Sequence, residues 1–319
     1  MVPILAGWPR VQGVSWRSVA TLAVPTIYLM TLQPGGSVPF LKGHGTGNDF
    51  VLLPDHDGAR YGHRVKADLV RALCDRRQGI GADGVIRVVR ADAPGLPPSD
   101  GAEWFMDYVN ADGSVAEMCG NGVRVLARHL VSAGLVGPRE ATVPVGTRAG
   151  TLPVTVEPDG EMTVDMGPAR AELSGHQVEV DNPAVTGPGV AVAMPNPHAV
   201  VPVGDLAAVG ELTASPGLRP ANLFPLGANV EFVVRTGDRH VQMRVWERGV
   251  GETQSCGTGV CAVAWVAMRQ DAAEPGTTYT VDVPGGRLWV TQDDTGSLHL
   301  KGPAVIVAQG SVEVSALLG

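Results

Sequence analysis

The chain has 319 residues, a length for one large or two medium domains around a buried core. Hydrophobic residues at 44% and charged residues at 18% weigh against disorder, and a net charge of −8 weighs against nonspecific nucleic-acid binding, which needs a positive field. The four cysteines, Cys74, Cys119, Cys256 and Cys261, form no C-x-x-C pair, which argues against a zinc ribbon, a thioredoxin-type motif or a secreted disulfide scaffold.

Residues 1–38 hold Arg10, Arg17 and an apolar run from Val19 to Leu32 that Pro25 interrupts. The run is short of the ~20 residues that span a bilayer. It has no clear small-x-small cleavage site, so the expectation is an extension outside the fold, with the true start nearer Met30. Phe40 to Leu53 reads as strand, glycine-rich turn, strand, with His44 structural in the turn. Ala67 to Arg77 has helical spacing, and Val85 to Val89 and Trp104 to Val109 read as strands. Asn110-Ala111-Asp112-Gly113 is a turn signal. Val123 to Ala133 reads as a helix, and residues 141–166 as short β runs. A proline- and glycine-rich stretch over about 167–190 loosens the pattern. Leu226 to Val234 and Val241 to Glu247 follow as strands, Val260 to Met268 as a second helix, and Thr278 to Val307 as hairpins. The whole is mixed α/β, mostly β ribbons with a few central helices.

The most informative feature is a repeat. Cys119-Gly120-Asn121-Gly122-Val123, then Ala127, matches Cys256-Gly257-Thr258-Gly259-Val260, then Ala264. Two halves of similar structure are implied, with the two cysteines in equivalent places. Each cysteine precedes Gly-x-Gly and an apolar helix, so each sulfur is expected at a helix N-terminus. Free N–H groups there favour the thiolate, and can lower a thiol pKa from ~8.5 to ~3.5–7.5. The same groups hold a carboxylate. Inverting an amino-acid α-carbon needs one group to take a proton from one face and another to give one to the opposite face. A thiolate and a thiol suit both roles. Cys74 and Cys261 sit in apolar helical patterns and read as inert core residues.

Asn110-Ala111-Asp112-Gly113-Ser114 with Cys119-Gly120-Asn121-Gly122, and Glu247-Arg248-Gly249-Val250-Gly251-Glu252-Thr253-Gln254-Ser255-Cys256-Gly257-Thr258-Gly259, resemble the two active-site blocks of the diaminopimelate epimerase family. Gly47-Asn48-Asp49-Phe50, Asn196-Pro197-His198 and Asn229 to Phe232 fit the same family, in family order, over about residues 40–310. The resemblance implies an α/β (mixed α+β) fold of two pseudo-twofold-related domains, each a β-barrel-like sheet around a central helix, with the site in the cleft between them. The expected division is residues 39–163 plus 302–319 around Cys119, and 164–301 around Cys256. It also implies cofactor-independent conversion of LL-2,6-diaminoheptanedioate to the meso form, with neither cofactor nor metal. Cys256 would accept the proton and Cys119 donate one. Gly120, Asn121, Gly257 and Thr258 would hold the reacting carboxylate. Asn48, Asn110, Asn196, Asn229, Glu247 and Arg248 would bind the amino groups and distal carboxylate, while His198 and Glu247 tune the thiols. A cytoplasmic homodimer acting on a small molecule, with no nucleic-acid or membrane partner, completes the implication. Some family members carry a substrate-site glutamine where this chain has Gly84, and that contact is not carried over.

Two rivals remain open. A proline or hydroxyproline racemase also uses two cysteines, but has histidine after Cys-Gly where this chain has Asn121, and leaves Glu247 and Arg248 without a task. A thiol redox sensor or metal-binding protein would not need the flanking glycines or the asparagines. A phenazine-type isomerase of similar fold would lack the cysteine pair.

Overall fold

The computed structural model describes residues 36–137 and 142–318. The extension expected over residues 1–38 overlaps the first strand at Ser37 and Val38, where Val38 is buried; residues 1–35 lie outside the described ones.

The first half runs β1 (Ser37–Gly45), β2 (Asn48–Pro54), α1 (Ala67–Cys74), β3 (Gly84–Arg90), β4 (Trp104–Asn110), α2 (Gly120–Ser132), β5 (Thr142–Thr147), β6 (Gly150–Val156) and β7 (Met162–Pro168). The second runs β8 (Gln177–Asn182), β9 (Val185–Ala193), β10 (Pro197–Pro202), β11 (Gly217–Arg219), β12 (Asn229–Gly237), β13 (His240–Glu247), β14 (Gly251–Thr253), α3 (Gly257–Gln270), β15 (Thr278–Val283), β16 (Gly286–Gln292) and β17 (Ser297–Gly302). Then β18 (Val305–Glu313) returns to pair with β1, and α4 (Val314–Leu318) follows.

The pairing pattern repeats. From β1 through β7, successive neighbours are antiparallel, parallel, antiparallel, parallel, antiparallel, antiparallel. From β9 through β10, β12, β13, β15 and β16 to β17, the same series recurs. β7 and β17 pair with each other, antiparallel, so a twofold rotation exchanging the halves leaves that ladder in place. The expected divisions at 163/164 and 301/302 fall inside these two strands.

Strand alternation sends side chains to opposite faces. Phe50, Leu52, Ile86, Val88, Met106 and Tyr108 face the core around α2, whereas Val51, Leu53, Val85 and Val109 join the cluster beneath α1. α3 is buried along Gly257 to Met268, as befits a helix apolar on all sides at the centre of a sheet.

Three expectations need correction. Residues 167–190 are not irregular: β8 and β9 form a hairpin there, built on alternating residues such as Val178 and Val180 that the prolines and glycines mask. The strand expected from Leu226 begins at Asn229, because Gly227 turns the chain at φ +77° and leaves Leu226 exposed. Both central helices start three residues before the apolar run, at Gly120 and Gly257, glycines whose low helix propensity hides the first turn.

Candidate active site

Cys119 and Cys256 are the N-cap residues of α2 and α3, each with extended backbone, at φ −147° and −115°. The two helix ends abut. A methyl group on Gly257 would lie 3.4 Å from Gly120 Cα and 3.8 Å from the Asn121 nitrogen. Asn121 Nδ2 crosses the seam to the Ser255 carbonyl at 3.0 Å. The fully buried Arg124 donates to Asn121 Oδ1 at 2.9 Å and to Thr46 Oγ1 at 3.3 Å, and Thr46 meets Ser255 Oγ at 3.0 Å.

Each thiol has its own partners. Gly122 N–H donates to Cys119 Sγ at 3.4 Å, and the half-buried thiol reaches Asn48 Oδ1 at 3.5 Å. The Asn48 amide is fixed by donating to Asp83 at 2.7 Å, which turns its oxygen toward Cys119 and Asn121. Around the buried Cys256, Thr258 Oγ1 lies at 3.5 Å and Asn229 Nδ2 at 3.9 Å. Asn229 Oδ1 accepts from the Arg248 backbone at 2.8 Å, leaving the exposed Arg248 side chain to reach the Gly227 carbonyl. Glu247 accepts from the Thr253 hydroxyl. Asn110, at the end of β4, bonds Ser114 and faces the same side as Asn48. His44 accepts from the Gly47 N–H and holds the β1–β2 turn.

The electrostatics differ from the expectation of lowered thiol pKa values. Burial pushes Cys119 up to about 11, with Glu247 adding to the rise; the N–H groups of Gly122 and Asn121 and the Arg124 charge oppose it without prevailing. Cys256 is pushed well above its ordinary value, first by burial and then by Glu247 and Glu231. Helix-end stabilisation is outweighed because burial and the nearby carboxylates oppose both thiolates. Burial likewise raises Glu247, which Thr253, His198 and the Cys256 thiol pull back. Cys74 and Cys261 are buried thiols, each pushed up to about 12 by burial.

His198 is fully buried, with Nδ1 2.7 Å from Glu231 Oε1 and Nε2 3.0 Å from Asn196 Oδ1. Its direct partner is therefore Glu231, a residue that sequence reasoning missed. The available signal was an acidic side chain between Val230 and Phe232 in an apolar strand, two residues after Asn229. Arg124, Thr46, Ser255 and Asp83 were missed as well.

Residues 40–172 and 190–312 match the family profile described as diaminopimelate epimerase. The chain belongs to the diaminopimelate epimerase family. The diaminopimelate epimerase of Streptomyces coelicolor is 51% identical over 291 residues, covering 88% of this chain and 98% of that protein. That of Thermobifida fusca is 51% identical, covering 87% and 99%. Solved structures share the fold at low identity. A hydroxyproline epimerase from Agrobacterium vitis, with trans-4-hydroxy-L-proline bound, aligns at TM-score 0.62 and 15% identity over 87% of this chain and 92% of that one. A Bacillus anthracis phenazine biosynthesis protein of the PhzF family aligns at 0.59 and 19%, over 87% and 99%. As a diaminopimelate epimerase family member the chain is an isomerase. At Gly84, where the substrate-site glutamine was not carried over, the surrounding space is already filled. A Cβ there would lie 2.5 Å from Tyr108 Cε2 and 2.7 Å from the Val109 carbonyl, so a glutamine has no room.

Proposed function

We propose that this protein converts LL-2,6-diaminoheptanedioate to the meso form by two-thiol inversion, a step that supplies lysine and peptidoglycan precursors. The observation that carries the reading is the meeting of two helix N-termini, each capped by a cysteine, at Gly120 and Gly257. A carboxylate placed there receives N–H groups from both helices. Cys256, as thiolate, takes the α-proton; the C–H electron pair moves into the carboxylate as an enediolate; Cys119 delivers its thiol proton to the opposite face. One thiolate and one thiol have exchanged places, no electrons are gained or lost, and proton exchange with water resets the pair. Both thiols rest protonated because burial raises them; the substrate's α-ammonium supplies the positive charge that favours the Cys256 thiolate, whose proton passes to water before the α-proton is taken. Gly120, Asn121, Gly257 and Thr258 bind the reacting carboxylate. Asn48, Asn110, Asn196, Asn229, Glu247 and Arg248 bind the remaining charged groups, and His198 with Glu247 adjusts the thiols.

We place Cys119 in an N-terminal domain and Cys256 in a C-terminal one, with the β7–β17 ladder as their common border. A cytoplasmic homodimer fits the chemistry. Exposed Val305 and Val307 on β18 offer an apolar edge, and no described helix is long and apolar enough to cross a membrane.

Proton NMR of the reduced protein with LL-diaminopimelate in D₂O tests the reading. Conversion to the meso isomer with deuterium at the inverted carbon is expected. No exchange and no conversion, with both thiols reduced, would refute it and direct attention to proline-type substrates.

A further inference from the structure

The internal twofold assigns each residue of one half a counterpart in the other, and at one place the halves differ in a telling way. Phe50 pairs with Gly84 across β2 and β3 as His198 pairs with Asn229 across β10 and β12. Ile86 pairs with Tyr108 as Glu231 pairs with Val245. Around Cys256 the positions are therefore polar: Asn229 reaches the sulfur, and Glu231 holds His198. Their counterparts under Cys119 are Gly84, Ile86 and Phe50, which carry no hydrogen-bonding side chain. Tyr108 occupies the space that Gly84 leaves open. A Cβ on Gly84 would lie 2.5 Å from Tyr108 Cε2 and 3.1 Å from its hydroxyl oxygen. The ring is fixed edge-on against Phe50, with centroids 5.6 Å apart. Tyr108 lies two residues before Asn110 on one strand, so both side chains share the face that carries Asn48 and packs on α2. Tyr108 is buried at 7% exposure, and among the described residues no protein hydrogen bond holds its hydroxyl. Burial is the largest influence on this phenol and keeps it protonated, and Cys119 when ionised, Glu247 and Asp83 act in the same direction.

We propose that the Tyr108 hydroxyl hydrogen-bonds the charged groups of the bound amino acid, taking in the first half the place that Asn229 holds in the second. Gly84 is then the residue that admits the phenol. The proposal rests on the amino-acid reading above and makes Tyr108 a substrate-positioning residue.

Tyr108→Phe keeps the ring and its packing and removes one oxygen. With LL-diaminopimelate, KM is expected to rise about tenfold, the worth of one hydrogen bond to a charged group, with kcat changed far less. An unchanged KM, or a loss confined to kcat, would overturn the proposal. A second measurement needs no variant. In wild-type protein labelled with ¹³Cζ-tyrosine, saturation with LL-diaminopimelate is expected to shift the Tyr108 line. A Tyr108 line that stays put while substrate turns over would refute this role and leave the epimerase reading intact. Absence of turnover by the wild type would refute the epimerase reading instead.

Discussion

At the scale of single residues, the site consists of two thiols whose protons are hard to remove. Cys119→Ala and Cys256→Ala are each expected to lower epimerisation at least about a thousandfold, because on the proposed mechanism either change removes one of the two proton carriers. A stereoisomer assay of the folded variants checks this, and substantial activity in either refutes the mechanism. Both thiol pKa values are raised, so the thiolate that starts the proposed reaction is scarce at neutral pH and grows as pH rises. The value of kcat/KM should therefore climb by about tenfold per pH unit below the first thiol pKa. A flat profile from pH 7 to 9 would contradict it. Glu231 belongs at this scale too. Glu231→Gln keeps the shape but removes the charge that faces His198 Nδ1. Its kcat/KM should fall about ten- to a hundredfold, the range for a hydrogen bond to a charged group, with an unchanged circular dichroism spectrum. Wild-type kinetics in this variant would reduce Glu231 to a packing residue.

At the scale of elements, α2 and α3 repeat one design with different surroundings. A methyl on Gly259 of α3 would meet Glu231 Oε1 at 2.6 Å, whereas the same methyl on Gly122 of α2 would meet Ile86 Cδ1 at 3.2 Å. Gly259→Ala should thus destabilise by about 1–3 kcal/mol and disturb His198, while Gly122→Ala costs clearly less. Thermal melts of the two variants side by side test the difference; equal losses would sink it. The repeat of Cys-Gly-x-Gly-Val was readable in the chain because it is local, and so were the strand–turn–strand around Gly47 and the two N-capping thiols. What the chain concealed depends on partners distant in sequence. Glu231 gains meaning only beside His198, Arg124 only beside Thr46 and Ser255, and Gly84 only beneath Tyr108. The thiol pKa values depart from the sequence expectation for the same reason. Helix N-termini can be placed from sequence, but the burial that opposes them cannot. The β8–β9 hairpin was hidden because Pro183, Pro188 and the glycines around them match a loop composition, although the strands tolerate them at their turn and edges.

For the molecule as a whole, the β7–β17 ladder makes both halves parts of one hydrogen-bonded sheet. Acid sensitivity follows from His129 of α2, whose ring is buried without a partner for Nε2 among the described residues and whose pKa burial lowers to about 4, helped by His56. The unfolded chain takes up this proton near pH 6.5 and the folded one only near pH 4, so stability is whole above that window and declines as pH falls through it. The loss amounts to a few kcal/mol, at about 1.4 kcal/mol for each pH unit that separates the two protonation midpoints. The melting temperature should drop between pH 6.5 and 4.5, and His129→Leu should flatten that drop; an equally steep fall in the variant would place the sensitivity elsewhere. Finally, β18 lies alongside β1 with Ser37 opposite Glu313, which brings two distant points of the chain to within one strand spacing, about 5 Å. Order along the chain is thus separable from order in space. A polypeptide opened at the exposed turn around Asp159, with positions 313 and 37 joined by a short glycine-serine bridge, would be a circular permutant containing every strand pairing described here.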